Sequence, residues 1–343
     1  MSISICVLGA FSFRSPSFDG QTIKTRNLLS LLQEKKKDVD YFDTQDFKYN
    51  RFSIAKMFWK IMRCKKLYYL PAQNNLAYLF PIIYWVCKLF RVQIHYFVVG
   101  GWLAEFLKDK PRHRLKLAKI AGIHCETVFL KGALQSEYGL KNVDVFPNFR
   151  ITDFKPTAYH EDDKLHLVFM ARVIKMKGLD LIFELGRRIN EASLQNSISI
   201  DFYGPQQNDD NDIEYFDTNV KKFPFMRYHG PLKPEEIYGV LEKFDVMLLP
   251  THFFTEGLPG SVVDAYISGI PVIVTKWKHA TEFVEDGKTG VIIPFEDDGT
   301  ALFEAVMVFF NENDLLNRMK QQANKKAYDF STEKAWNLIQ SYN

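Results

Sequence analysis

"FDVMLLPTHFFTEGLPGSVVDAY", Phe244 to Tyr266, holds an apolar run of strand length, a Gly/Pro loop and the start of a helical pattern, in that order. Strand, tight loop and helix form the repeating unit of a parallel sheet covered by helices. Within the loop Gly257, Leu258, Pro259, Gly260 and Ser261, the two glycines permit close backbone approach and Ser261 is placed to cap the helix. The amides of Leu258 to Val262 are then expected to point outward as an anion cradle. Glu256 and Asp264 stand on either side of that turn. A carboxylate beside phosphates repels them, so Glu256 suits neutral hydroxyls such as those of a sugar or ribose. Asp264 has a plainer task open to it, because Ser261-Val262-Val263-Asp264 also fits a capping box with Asp in place of Glu.

The same alternation runs outward in both directions. Strand candidates in the first half are "ISICVLGA", "DVDYFDT", "KLYYLPA", "VQIHYFVVG", "ETVFLKG" and "NVDVFPN"; in the second they are "LHLVFMA", "ISIDFYG", "MRYHG", "FDVMLLPT", "IPVIVTK" and "GVIIPF". Helical stretches separate them, including Leu179 to Glu191, Pro234 to Phe244 and Ser261 to Ser268. Periodicity stops between Val145 and Lys164, where Pro147, Pro156 and a polar cluster mark a linker. The expected fold is therefore α/β, with two doubly wound parallel-sheet domains over residues 1–150 and 151–330. The closing segment "STEKAWNLIQSYN" forms a helix capped by Ser331 and is assigned to the first domain. Open parallel sheets bind ligands at the carboxyl ends of their strands, which directs attention to the loops there.

A chain of 343 residues, 47% hydrophobic, has enough apolar content for two cores. Its four cysteines, Cys6, Cys64, Cys87 and Cys125, show no C-x-x-C pair, which argues against a disulfide framework or a zinc site. "NNLAYLFPIIYWVCKLFRV", Asn74 to Val92, is broken by Pro81 and Lys88 and falls short of the roughly 20 clean residues of a bilayer span; it reads as a buried helix. The opening "MSISICVLGAF" reads as a strand rather than a secretion signal, which suggests a cytoplasmic protein. The net charge of +3 conceals an asymmetry: residues 1–150 hold 24 Lys and Arg against 11 Asp and Glu, and the remainder is acidic. A basic half implies an anionic partner, either nucleic acid or a membrane carrying anionic lipid.

In "MARVIKMKGLDLIFELG", Arg172 and Lys177 bracket a loop between a strand end and a helix start, which outlines a diphosphate site. "ARVIKMKG", "FYG", "YHG", "EGLPGSVVDAY", "SGIPVIV" and "EDGKTGVII", in this order, resemble the donor-binding domain of glycosyltransferase family 4, the retaining GT-B enzymes. "CVLGAF", "FDGQTIKTRNLLSLL" and "VDVFPNF" are similar to their acceptor domain. The resemblance implies two Rossmann-like domains facing a central cleft and sugar transfer from a nucleotide-diphosphate donor, with UDP-sugars the first choice. It implies no metal: Arg172 and Lys177 hold the diphosphate, Glu256 contacts the sugar and Asp264 the ribose. Gly204 and Gly230, which close "FYG" and "YHG", fall on the donor side with the Gly257–Ser261 loop. Gly20, Gly100 and Gly101 fall on the acceptor side, where the two adjacent glycines let an acceptor approach backbone amides. His95 lies inside a strand and receives no catalytic role.

"RFSIAKMFWKIMRCKK", Arg51 to Lys66, reads as a basic amphipathic helix that either lies in a membrane interface or packs its apolar side on the sheet. With "KDKPRHRLKLAK" and no motif for reading nucleic acid, it points to peripheral attachment at the inner face of the membrane and to a lipid-linked saccharide or glycan acceptor. "NDDND", Asn208 to Asp212, reads as solvated surface. A nucleotide-sugar epimerase and a non-catalytic nucleotide-sugar-binding module remain open alternatives. A dinucleotide oxidoreductase is disfavoured because neither half carries G-x-G-x-x-G after its first strand.

Overall fold

The computed structural model describes residues 3–14, 20–36, 38–50, 52–157, 164–206 and 210–342. Arg51, Asn208, Asp209 and Ser17–Asp19 of the "SFDGQT" loop lie outside the described residues. The chain forms two compact units, Met1–Thr152 with Phe330–Asn343, and Asp153–Asp329.

The first unit is built on a parallel sheet of β1 (Ile3–Gly9), β2 (Val39–Asp43), β3 (Cys64–Leu70), β4 (Gln93–Phe97), β5 (Gly122–Cys125) and β6 (Val143–Val145), in spatial order β2-β1-β3-β4-β5-β6. Strand β1 shows why a strand covered on both faces reads as a continuous apolar run. Cys6 and Leu8 enter one core, beneath the helices Ser53–Arg63, Phe80–Phe90 and Val128–Tyr138. Ile5 and Val7 enter the other, beneath Gly20–Lys35 and the closing helix Thr332–Ser341, which contributes Ala335 and Ile339. Ser331 caps that closing helix by accepting from the Lys334 amide at 3.3 Å. Arg150 ties the helix back, its amide donating to the Phe330 carbonyl and its carbonyl accepting from the Thr332 hydroxyl.

Three elements of this unit differ from the sequence expectation. The helix expected over Arg51 to Lys66 ends at Arg63, and Cys64, Lys65 and Lys66 open β3 instead. "ETVFLKG" is a helix start rather than a strand: the β-run ends at Cys125, and Thr127 accepts from the Leu130 amide at 2.9 Å to cap Val128–Tyr138. A threonine cap outweighs local β propensity there. "NNLAYLFPIIYWVCKLFRV" is two helices, Gln73–Tyr78 and Phe80–Phe90, with Pro81 in the first turn of the second, where a missing N–H costs nothing. That second helix is only half buried, for Ile82, Trp85 and Leu89 are exposed.

The second unit repeats the plan with β7 (Leu165–Met170), β8 (Ile198–Tyr203), β9 (Met226–Tyr228), β10 (Val246–Leu249), β11 (Val272–Thr275) and β12 (Gly290–Ile293), all parallel, in order β12-β11-β10-β7-β8-β9. Chain order runs outward from β7 in one direction and from β10 in the other, so the boundary between these two strands is the topological switch point. The helical pattern over Pro234–Phe244 contracts to Ile237–Leu241.

Candidate functional site

Two loops leave the carboxyl edge of the second sheet at the switch point. After β7 the chain passes Arg172, makes a 3-10 turn over Lys175–Lys177, and enters the helix Leu179–Glu191 through Gly178. Gly178 has φ +84°, and a Cβ there would sit 1.9 Å from the Pro250 carbonyl oxygen, so only glycine lets this turn lie against the end of β10. The loop after β10 returns the contact: the His252 amide donates to the Met176 carbonyl at 2.9 Å, and the His252 ring meets Asp180 at 2.8 Å. Gly204, at the end of β8, closes the other flank, where a Cβ would stand 1.8 Å from the Ala171 carbonyl oxygen.

These constraints bring Lys177 Nζ to 2.5 Å from Glu256 Oε2, across 79 residues of sequence. Lys177 is buried at 7% exposure and Glu256 is half-buried. Thr251 supports the carboxylate from 3.4 Å, and the ammonium lies 5.0 Å from the centre of the Phe253 ring. Charge-assisted contacts in a partly dry site are stronger than their surface counterparts. Arg172 begins the same loop and is exposed, with no ion pair among the described residues. The site therefore combines a fixed cation, an exposed cation and a carboxylate at one strand edge.

The helix carrying the second carboxylate begins one residue earlier than its sequence suggests. It spans Gly260–Ile267 with Pro259 in the capping position, in extended geometry and without a side-chain cap. Ser261 is thus inside the first turn and is not the cap, and the capping-box role for Asp264 falls with it. Asp264 is buried at 5% exposure one turn further on, with its Oδ1 accepting from the Tyr238 hydroxyl at 3.4 Å. The amide of Val262 is also removed from the expected cradle, since it donates to the Pro259 carbonyl at 3.1 Å. Gly257, Leu258 and Pro259 are buried in the turn, while Gly260 and Ser261 are partly exposed.

Sequence reasoning passed over several neighbours. Thr251 and His252 stand inside the quoted stretch, but a role for them needed the loop after β7, whose partners are about 75 residues away. At the ends of β8 and β9, the rings of Tyr203 and His229 stack at 4.7 Å and 15°, and His229 bonds Asp201. Burial and the Asp201 charge raise the Tyr203 phenol above its ordinary pKa. "FYG" and "YHG" contain both rings, and their recurrence at neighbouring strand ends was the available signal. Gly230, after β9, has φ +77° and open space around it.

On the first unit, Gly20 opens the helix Gly20–Lys35 with open space beside it, and Gly100 and Gly101 follow β4. The Gly100 amide is not free for an acceptor, because it donates to Glu126 Oε2 at 3.0 Å. Glu126 Oε1 in turn pairs with Lys24 at 2.8 Å, with both side chains almost wholly buried. Lys24 also donates to the Val98 carbonyl, so the pair fixes the chain entering the double-glycine turn. His95 is buried within β4, 3.1 Å from the ring of His124. Burial, with Lys66 adding to it, lowers the His95 pKa to about 4, so it is a neutral core residue.

Two parallel, doubly wound sheets with polar loops at a switch point define a GT-B protein. The solved structures of Anabaena Alr3699/HepE with UDP and glucose, and of sucrose-phosphate synthase from Thermosynechococcus elongatus, share this fold: each superposes with a TM-score of 0.77, 12% identity, and coverage of 99% of this chain and 98% of the other. Residues 151–326 match the family model of the glycosyl transferases group 1, and the chain belongs to that family. It is 27% identical over 177 residues to the protein named "Putative colanic acid biosynthesis glycosyltransferase WcaL" of Escherichia coli (strain K12), a match covering 49% of this chain and 42% of the relative. The chain thus spans less than half the length of that relative.

Proposed function

We propose that this protein is a retaining glycosyltransferase of family 4 type that moves a hexosyl group from a nucleotide-diphosphate donor, a UDP-sugar, to a lipid-linked saccharide or glycan in surface polysaccharide synthesis. The observation that carries the reading is the Lys177–Glu256 pair at the switch point of the second sheet. A diphosphate entering beside it competes for the ammonium, and the carboxylate is then released to accept hydrogen bonds from donor-sugar hydroxyls. Arg172 joins Lys177 in stabilising the charge that grows on the leaving diphosphate as the glycosidic bond breaks. Asp264 takes the ribose hydroxyls from within its helix. These cations occupy the role that Mg²⁺ fills in other sites, so the reaction is proposed to need no metal.

UDP in the Anabaena structure and the polysaccharide named for the Escherichia coli relative support the choice of donor and pathway class. No helix among the described residues is long and apolar enough to cross a membrane, and attachment to the inner membrane face through the basic first unit fits an acceptor carried on lipid. The test is turnover of UDP-sugars with and without a lipid-linked saccharide, with product configuration read by NMR. Acceptor-dependent UDP release with the donor's anomeric configuration kept in the product is expected. Conversion of the donor sugar without acceptor would instead identify an epimerase.

A further inference from the structure

One layer of helices in the first unit turns apolar side chains in both directions. The helix Ser53–Arg63 buries Ser53, Met57 and Ile61 at a spacing of four, yet its opposite side carries Trp59 at 49% and Met62 at 37% exposure, with Phe52 at 87% just before it. Phe80–Phe90 packs beside it and repeats the arrangement. It buries Phe80, Ile83, Tyr84 and Cys87, and turns out Ile82 (52%), Trp85 (57%) and Leu89 (77%) at i, i+3 and i+7. A solvated helix face ordinarily carries charge there, and a continuous apolar patch rimmed by polar groups marks an interaction site.

The charges that these two helices carry have one sign, with Lys60 paired to Asp40 of the neighbouring β2 at 2.6 Å. Residues 51–100 contain eight Lys and Arg and no Asp or Glu. The Arg63 guanidinium lies 4.3 Å from the centre of the Trp59 ring, and Lys88 Nζ lies 4.9 Å from that of Trp85. Both outward tryptophans thus carry a cation on one face, with Lys56 and Arg91 exposed nearby. Nucleic acid would satisfy the cations and leave Ile82 and Leu89 without a partner. An anionic bilayer offers phosphate above hydrocarbon, the order in which this surface presents cation and apolar group.

We propose that the outer face of the Ser53–Arg63 and Phe80–Phe90 helices docks on a bilayer containing anionic phospholipid. Phe52, Trp59, Met62, Ile82, Trp85 and Leu89 enter the boundary between headgroups and acyl chains, while Lys56, Arg63, Lys88 and Arg91 stay at phosphate level. The assignment rests on the membrane part of the proposed function and names its surface; donor binding by the second unit is independent of it.

The experiment is sedimentation of the full chain with phosphatidylcholine vesicles, with and without phosphatidylglycerol, at low and high salt. Wild type is expected to bind the phosphatidylglycerol vesicles at low salt, with a blue shift of tryptophan fluorescence, and to be released by salt. Trp85→Glu with Leu89→Glu is expected to weaken binding roughly tenfold or more, and Arg63→Gln with Lys88→Gln to lose the preference for phosphatidylglycerol. A milder pair, Ile82→Ser with Leu89→Ser, repeats the test if the first variant melts below wild type, and a UDP-sugar thermal shift in each variant reports an intact second unit. No binding by wild type overturns membrane attachment altogether. Wild-type binding that both apolar variants retain in full overturns this face alone. A dimer seen by light scattering and abolished by the same variants overturns it too, in favour of a second copy as the occupant.

Discussion

The two units share a sheet plan and differ in what they leave exposed. Residues 1–150 carry a net +13 and the remainder a net −10. Among the described residues of the second unit the large apolar side chains are mostly buried, with Met176, Phe254, Val308 and Tyr328 as the exposed ones, and the contacts Lys177–Glu256 and His252–Asp180 stand in paired loops at the carboxyl strand edge, while the Lys320–Asp245 pair is buried elsewhere. In the first unit exposed apolar side chains recur from Phe13 to Phe129, and the ion pair near the strand ends, Lys24–Glu126, is sealed inside. The difference teaches that one architecture can present a cluster of polar loops in one unit, the proposed donor site, and a broad apolar and basic surface in the other, the proposed membrane face. The family match covers residues 151–326, where sequence and geometry speak together; outside it the surface carries the argument.

Breaking the buried pair in the first unit should have the largest effect. Lys24→Met strands the Glu126 carboxylate in a dry site and is expected to cost about 3–5 kcal/mol of that unit's stability, while Lys24→Met with Glu126→Leu recovers most of it. Urea unfolding checks both, and a UDP-sugar thermal shift should survive in the double variant if the second unit binds donor by itself. In the second unit, Lys177→Ala or Glu256→Ala is expected to lower kcat by about 10²–10³-fold, equivalent to about 2.7–4 kcal/mol. Additive losses in the double variant would deny that the two act together.

The histidine pair sharpens the contrast by pH. His95 and His124 are buried, and their folded pKa values are lowered, first by burial, to about 4 and about 2. The unfolded chain binds protons near the ordinary value of about 6.5, so their stabilisation is present above that pH and is lost as pH falls toward 4. Stability of the first unit should drop by roughly 1.4 kcal/mol per pH unit per histidine across that window, read from urea midpoints at successive pH values. Equal stability at pH 7 and pH 5 would contradict the assignment. The smallest expected effect is that of chelator: turnover in EDTA should equal that in Mg²⁺, and metal-restored activity would refute the cationic role given to Arg172 and Lys177.

The sheets were legible because parallel strands buried on both faces write themselves as apolar runs, as "ISICVLG" and "FDVMLL" do. "ETVFLKG" was not, since Thr127 decides between strand end and helix cap by one hydrogen bond that propensity does not encode. The carboxylate of Glu256 was legible from a Gly/Pro loop without a packing task, whereas its pairing with Lys177 depends on strand order. Gly100 shows the reverse, a free amide in sequence that is occupied in space by a residue 26 positions away. The outward stripe on Phe80–Phe90 was hidden because a helix whose one charged residue is Lys88 has no polar side to mark which face meets solvent.

The most direct test of the central claim is a thermal-shift titration of wild type and Lys177→Ala with UDP-, GDP-, ADP- and dTDP-sugars. One nucleotide-sugar, expected to be a UDP-sugar, should raise the wild-type Tm in step with the logarithm of its concentration above Kd, and the variant should lose most of that rise. A flat response of wild type to all four, or an equal rise in the variant, would contradict a donor site built on Lys177 and Glu256.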